Sequence, residues 1–93
     1  MDTKDLRCFR QVYEDRSINQ AAKQLFITPQ GLSRIITKLE GELQAPLFER
    51  TPTGMVPTES GHYFYEHSLE ILYRLDDLKL QIKKMNQTEK TFH

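Results

Sequence analysis

The chain has 93 residues, 38% of them apolar, and its 13 basic and 13 acidic side chains give a formal net charge of zero. That is enough for one small domain with a modest core, and too little to build a deep catalytic cleft as well. No apolar run reaches membrane-spanning length, no apolar stretch follows the charged start at Asp2, Lys4 and Asp5, and Cys8 is the lone cysteine. A membrane span, a secretory signal, an internal disulfide and a zinc knuckle are therefore excluded, and a cytoplasmic location is expected.

Leu6, Phe9, Val12 and Tyr13 recur at helical spacing behind the candidate caps Asp2 and Thr3, which predicts an amphipathic helix over about 3–15, with Cys8 semi-buried in it. Ser17 followed three positions later by Gln20 reads as a capping box. It opens a short helix whose small pair, Ala21 and Ala22, lets a neighbour approach closely, with Leu25 near its end. Only Phe26 and Ile27 intervene before a second cap, Thr28. Pro29 then suits the first helical position, where its missing N–H leaves no bond unmade. The third helix is predicted over about 29–43. Leu32, Ile35, Ile36, Leu39 and Leu43 make one of its sides apolar. Gln30, Ser33, Arg34, Thr37 and Lys38 make the other, every one a hydrogen-bond donor and none an acid.

Ala45 and Pro46 end that helix. Leu47 to Arg50, the turn-forming Thr51, Pro52, Thr53 and Gly54, and then Met55 and Val56 predict a small β-hairpin closed by Pro57. Thr58 begins a last helix that has no proline, and no glycine after Gly61. It is expected to run to about residue 87, roughly 45 Å at the standard rise. Along it Phe64, Ser68, Ile71, Leu75, Leu78, Ile82 and Met85 alternate spacings of four and three, a heptad seam with one polar interruption. A helix this long needs an apolar face to bury, and a chain this small has nothing long enough to cover the seam. A homodimer is thus expected, with Phe64, Ile71, Leu75, Leu78, Ile82 and Met85 at the interface. The polar residues 88–93 are expected to form a disordered tail. The organisation predicted is a DNA-binding unit at 1–58, a linker and dimerisation helix at 59–87, and the tail.

A short helix, a tight turn and a second helix with a polar, basic outer side make a helix-turn-helix, and the hairpin after it makes a wing. The fold class is mainly α: three helices and a β-hairpin wing, followed by a long dimerisation helix. Zero net charge argues against a polyanionic partner, but the distribution overrides it. Between Arg16 and Leu39 there is no Asp or Glu, while Arg16, Lys23, Arg34 and Lys38 are all basic. Salt confines exposed charges to a range of about 8 Å, so a local positive field suffices to attract phosphate. The second helix of such a motif enters the major groove. Thr28, Pro29, Gln30, Gly31, Ser33, Arg34 and Thr37 are the candidate base readers, with Gln30 suited to adenine and Arg34 to guanine. Ser17, Asn19, Lys38 and Arg50 suit phosphate, the first two adding the amides of a helix start. Thr51, Thr53 and Gly54 form the wing tip, at the minor groove or the backbone. The expected partner is double-stranded DNA. The same elements also suit a protein-interaction module with the last helix as an oligomerisation stalk, and a steep salt dependence separates the two readings.

The stretch AAKQLFITPQGLSRIITKLEGELQAPLFERTPTGMVPTESG, residues 21–61, closely resembles the DNA-binding domain of LysR-type transcriptional regulators. The likeness is carried at fixed spacing by Ala21, Ala22, Leu25, Leu32, Ser33, Ile36, Leu39, Glu40, Leu43, Leu47, Phe48, Arg50, Thr58 and Gly61, and with the flanking helices it covers nearly the whole chain. It implies a winged helix-turn-helix and a linker helix that dimerises. In full-length members it implies an effector-binding domain of about two hundred residues, with RNA polymerase as a candidate partner. No such domain is in this sequence, so the chain is expected to be a piece of a longer protein. Four positions depart from the pattern. Thr28-Pro29-Gln30-Gly31 stands where members commonly have Ser-Gln-Pro-Ala, which displaces the glutamine by one position and weakens any transfer of base preference. Gln44 replaces a common glycine, Thr53 stands where a wing arginine is frequent, and Pro57 replaces a leucine.

The remaining polar residues point to no chemistry. His62 and His67 are five apart on a helix, off a common face, and His93 has no ligand-like neighbour, so no metal or cofactor is expected. Glu40 and Glu42 are expected in structural ion pairs. No glycine-rich phosphate loop, nucleophile elbow or paired-carboxylate pattern occurs, and the chain is read as a non-enzyme.

Overall fold

In the computed structural model residues 1–87 are described in full, and the last helix is traced to Phe92; the tail expected at 88–93 lies outside the fully described residues. The elements in order are α1 (Thr3–Asp15), α2 (Ile18–Leu25), α3 (Pro29–Leu43), β1 (Phe48–Thr51), β2 (Gly54–Pro57) and α4 (Glu59–Phe92). Among the described residues no helix is long and apolar enough to cross a membrane.

Each helix starts on the side chain that its sequence offers. Asp2 and Asp5 close a reciprocal capping box at α1, the Asp5 amide donating to Asp2 Oδ1 at 2.9 Å. That amide bond holds the Asp2 carboxyl below its ordinary pKa. Ser17 Oγ accepts from the Gln20 amide at 3.2 Å and Thr28 Oγ1 from the Gly31 amide at 3.0 Å, each satisfying a donor that the helix itself leaves open. The ends are less economical. Arg16, Phe26 and Gln44 all sit in the left-handed region, at φ 57°, 58° and 55°, where glycine is the low-energy choice. A non-glycine residue there costs about 1 kcal/mol, and the tight turns they make bring α1, α2 and α3 around a single core.

That core is built by the apolar sides of the three helices and the first strand. Phe9, Val12, Leu32, Ile36, Leu39 and Leu47 are fully buried, and the Phe9 ring meets Phe48 at 5.3 Å and the edge of Phe64 at 4.8 Å between centroids. β1 and β2 pair antiparallel, Phe48 opposite Pro57 and Thr51 opposite Gly54, so the hairpin buries Phe48 and Met55 and exposes Glu49 and Arg50. Two carbonyls fasten the hairpin to the helices. The Arg16 carbonyl accepts from the Met55 amide at 2.9 Å, and the Leu47 carbonyl accepts from the Thr58 amide at 3.0 Å. Glycine is required at both joints. A Cβ on Gly54, whose φ is 140°, would lie 2.6 Å from the Arg16 oxygen, and one on Gly61 would overlap the Leu47 carbonyl.

α4 lies against α1 through its first half. Ser68 and Leu72 are buried, Tyr65 stacks on Tyr13 with ring centroids 3.7 Å apart, and Arg10 donates to the Tyr65 carbonyl at 3.0 Å and to Ser68 Oγ at 3.1 Å. This corrects part of the heptad reading. Phe64, expected at the dimer seam, is partly buried on Phe9 of its own chain, and Ser68 is the acceptor for Arg10 rather than a polar break in the seam. The heptad spacing merges two adjacent faces of α4, one turned to α1 and one turned outward. Ile71, Leu78, Ile82 and Met85, on the outward face, are more than half exposed.

Candidate nucleic-acid interface

α3 divides by side, as its pattern requires. Leu32, Ile36 and Leu39 are buried, which leaves Gln30, Arg34 and Thr37, at steps of four and three, as an exposed stripe along the opposite side. None of these three side chains has a hydrogen bond or ion pair among the described residues. The start of α3 is shaped for close approach: Pro29 and Gly31 bring little side-chain bulk, and a Cβ at Gly31 would press to 3.0 Å on the capping hydroxyl of Thr28.

Beside this stripe is a shallow groove of about 250 Å³ between the start of α2 and the hairpin, lined by Ser17, Ile18, Asn19, Arg50, Thr51, Gly54 and Met55. Four elements of chain position it. The Ser17 cap opens α2 at one edge, the Arg16 carbonyl holds β2 down, and Arg50, on the same face of the hairpin as Phe48 and Met55 but two residues nearer the tip than Phe48, keeps its side chain exposed. Arg50 Nη2 reaches across to donate to Ser33 Oγ on α3 at 2.9 Å, so wing and helix meet through these two side chains. At the wing tip Thr51 Oγ1 donates to the Gly54 carbonyl at 2.8 Å and lies 3.2 Å from Thr53 Oγ1. The tip is therefore pinned by its own hydroxyls, and it carries no cation.

The structure brings together most of the residues predicted for DNA. Ser17, Asn19, Arg50, Thr51 and Gly54 share the groove, Thr53 joins Thr51 at the tip, and Ser33 reaches Arg50 from α3, whose exposed side carries Gln30, Arg34 and Thr37. Lys38 is the exception. Its Nζ lies 3.4 Å from the buried Asp5 carboxylate and 3.9 Å from Glu42, so its charge is answered within the protein rather than held out for phosphate. Asp5 is remote in sequence and reaches this end of α3 only because α1 packs there, which is why the acid-free window from Arg16 to Leu39 did not reveal it. Glu40 also differs from its expectation. It makes no ion pair among the described residues; its Oε2 accepts from the Leu47 amide at 2.7 Å and the Phe48 amide at 3.3 Å, tying the end of α3 to the first residues of the hairpin.

Two contributors were not legible in the chain. Arg16 acts through its carbonyl on Met55, while its guanidinium lies 4.7 Å over the Tyr13 ring and donates to the Tyr13 carbonyl. Arg10 is nearly buried between helices, stacked 4.2 Å over Tyr65, whose hydroxyl donates to Glu14 at 3.1 Å. Burial and that bond to Glu14 raise the Tyr65 pKa above the ordinary phenol value. Burial raises that of the Cys8 thiol as well, which keeps it protonated and unreactive in the α1 core. Among the described residues no group of three or more His, Cys, Asp or Glu is placed to hold a metal ion.

Known proteins share this arrangement. The chain is 36% identical over 91 residues to the HTH-type transcriptional regulator BenM of Acinetobacter baylyi, covering 98% of this chain and 30% of BenM. It is 34% identical over 88 residues to the nitrogen assimilation regulatory protein nac of Klebsiella aerogenes, covering 95% of this chain and 29% of that protein. It thus spans less than a third of the length of these relatives. Among solved structures, the BenM_DBD/benA site 1 DNA complex superposes with a TM-score of 0.86 at 35% identity, over 91% of this chain and 99% of that one. The CbnR_DBD-DNA complex does so with a TM-score of 0.88 at 28% identity, over 90% of this chain and 97% of that one. Residues 3–62 match the family described as bacterial regulatory helix-turn-helix protein, lysR family. With two thirds of its length matched and the winged helix-turn-helix geometry in place, the chain belongs to the LysR family of bacterial regulators.

Proposed function

We propose that this chain binds double-stranded DNA sequence-specifically, as the operator-binding part of a cytoplasmic transcriptional regulator. The observation that carries the reading is the exposed stripe of Gln30, Arg34 and Thr37 on α3, with no partner among the described residues, on a helix joined through Ser33 and Arg50 to the groove that Arg50 and the start of α2 line. The stripe is the part that enters the major groove, where Gln30 and Arg34 meet base edges. The α2 start and Arg50 straddle the flanking backbone, and the wing tip approaches the minor groove. With Thr53 where a wing arginine is frequent, the wing contributes little to minor-groove readout. The reading assigns the chain no catalytic step, and it leaves effector and RNA polymerase contacts to a longer protein.

Two copies act together. The outward face of α4 exposes Ile71, Leu78, Ile82 and Met85. Between Glu59 and Asp77 the helix carries Glu59, Glu66, Glu70, Asp76 and Asp77 against one cation, Arg74, and from Lys79 to Lys84 it carries Lys79, Lys83 and Lys84 with no acid. That segregation favours antiparallel pairing, in which each basic half lies beside the partner's acidic half.

Selection of bound duplexes from a random pool tests the whole reading, with a two-fold symmetric consensus as the expected result. On the selected duplex Arg34→Ala weakens binding by about 1–3 kcal/mol and relaxes one base position. Unchanged affinity in the Arg34→Ala variant removes the assigned orientation of α3. Wild-type binding that stays flat between 50 and 200 mM salt favours a protein-interaction module instead.

A further inference from the structure

We infer that Ser33 is a positioning residue for Arg50, holding its guanidinium over the groove between α2 and the wing so that Arg50 and the α2 start grip one DNA phosphate together. The inference rests on the DNA-binding reading and changes the part that Ser33 plays in it. Gln30, Arg34 and Thr37 have no partner among the described residues, whereas the neighbouring Ser33 hydroxyl accepts from Arg50 Nη2 at 2.9 Å. A serine side chain is too short to hold a residue of the wing and also reach a base edge at the centre of the stripe.

Arg50 is the cation this groove depends on. It faces Ser17, Asn19, Thr51 and Gly54 across the groove, and no carboxylate lies within ion-pair distance of it among the described residues. Of the other basic residues nearby, Lys38 is engaged with Asp5 and Glu42 and Arg16 with the carbonyl and ring of Tyr13, while Arg34 belongs to the exposed stripe of α3 and is not among the residues lining the groove. An exposed arginine on a four-residue strand has many rotamers. One hydrogen bond from α3 restricts the guanidinium to a rotamer that lines the groove, and a phosphate there is bound by its planar N–H fork together with the α2 start.

The test measures binding of a fluorescein-labelled 30-base-pair duplex of random sequence, by anisotropy, from 50 to 200 mM NaCl. A phosphate grip is sequence-independent, so no operator is needed. Each phosphate contact contributes about 0.9 to the slope of log K against log salt, or about threefold in affinity over this range. Arg50→Ala and Ser33→Ala are each expected to lower the slope by about that amount. The double variant should lose no more than Arg50→Ala alone, and Ser33→Thr, which keeps the hydroxyl, should restore the wild-type slope. Thermal melts check that these exposed substitutions leave the fold intact. A wild-type slope in Ser33→Ala, or losses that add in the double variant, overturns the pairing and leaves DNA binding standing. A wild-type chain with no salt-dependent binding overturns the DNA reading itself, and the grip with it.

Discussion

The two halves of α4 are one continuous helix held in place by different means. From Glu59 to about Leu75 it is part of the domain: Gly61 lies against the Leu47 carbonyl, Tyr65 and Ser68 bond Arg10, and Leu72 is buried. Beyond Asp76, which lies 3.7 Å from Arg7, the helix leaves the domain, and Leu78, Leu80, Ile82 and Met85 are about half exposed or more. Helix propensity is similar on both sides of that point, so the difference lies in tertiary packing, from which most helical stability in proteins derives. The first half is stabilised by its own chain. In the proposed dimer the second half acquires its burial from a second copy, and its stability should then depend on protein concentration.

Three substitutions sharpen or break this comparison. The largest effect is expected from Gly61→Ala, whose methyl overlaps the Leu47 carbonyl. It should cost about 3 kcal/mol, lowering Tm on the order of 15 °C whatever the concentration, as thermal circular dichroism would show. A smaller loss that disappears at high concentration would mean that the first half also leans on the partner. Next, Leu78→Asp places a charge on the outward face of α4, at the proposed dimer interface. It should raise the dimer dissociation constant about 100-fold, or about 2.7 kcal/mol, in sedimentation equilibrium while the core unfolds as before. An unchanged dimer would place the interface elsewhere. The smallest effect is expected from Arg10→Met, which keeps the packed stem but leaves the Tyr65 carbonyl and Ser68 hydroxyl without the Arg10 donor. The Ser68 hydroxyl still donates to the Tyr65 carbonyl at 3.0 Å, so only the Arg10 bonds are lost, and a cost of about 1 kcal/mol, read as a shift of the urea midpoint, would mark the polar joint as a real part of the first half.

The same contrast explains what was legible beforehand. Features that depend on residues within one turn of each other were readable: the caps Asp2, Ser17 and Thr28, the proline at the start of α3, the two sides of α3, and the hairpin turn. Features that depend on which elements meet were not. The window from Arg16 to Leu39 contains no acid, yet Asp5 reaches Lys38 from α1. Glu40 lies near the end of a helix, where an ion pair is a reasonable expectation, yet the hairpin folds back to present two amides to it. The heptad pattern identified an apolar stripe on α4 without showing that Phe64 belongs to the core. Ser33 looked like any other residue on the outer side of α3 until Arg50 was found bonded to it.

By itself, then, the amino-acid sequence determined the order of helices and hairpin, the apolar and donor-rich sides of α3, and the excess of apolar surface on the last helix. Each of these follows from periodicity and capping, which are local properties of the chain. Only the tertiary structure decided which cations remain available to a phosphate, how the wing is fastened to α1 and α3, and where α4 stops belonging to its own domain. These depend on side chains far apart in sequence coming within bonding distance, and a charge or hydroxyl already satisfied inside the protein is no longer free to bind outside it.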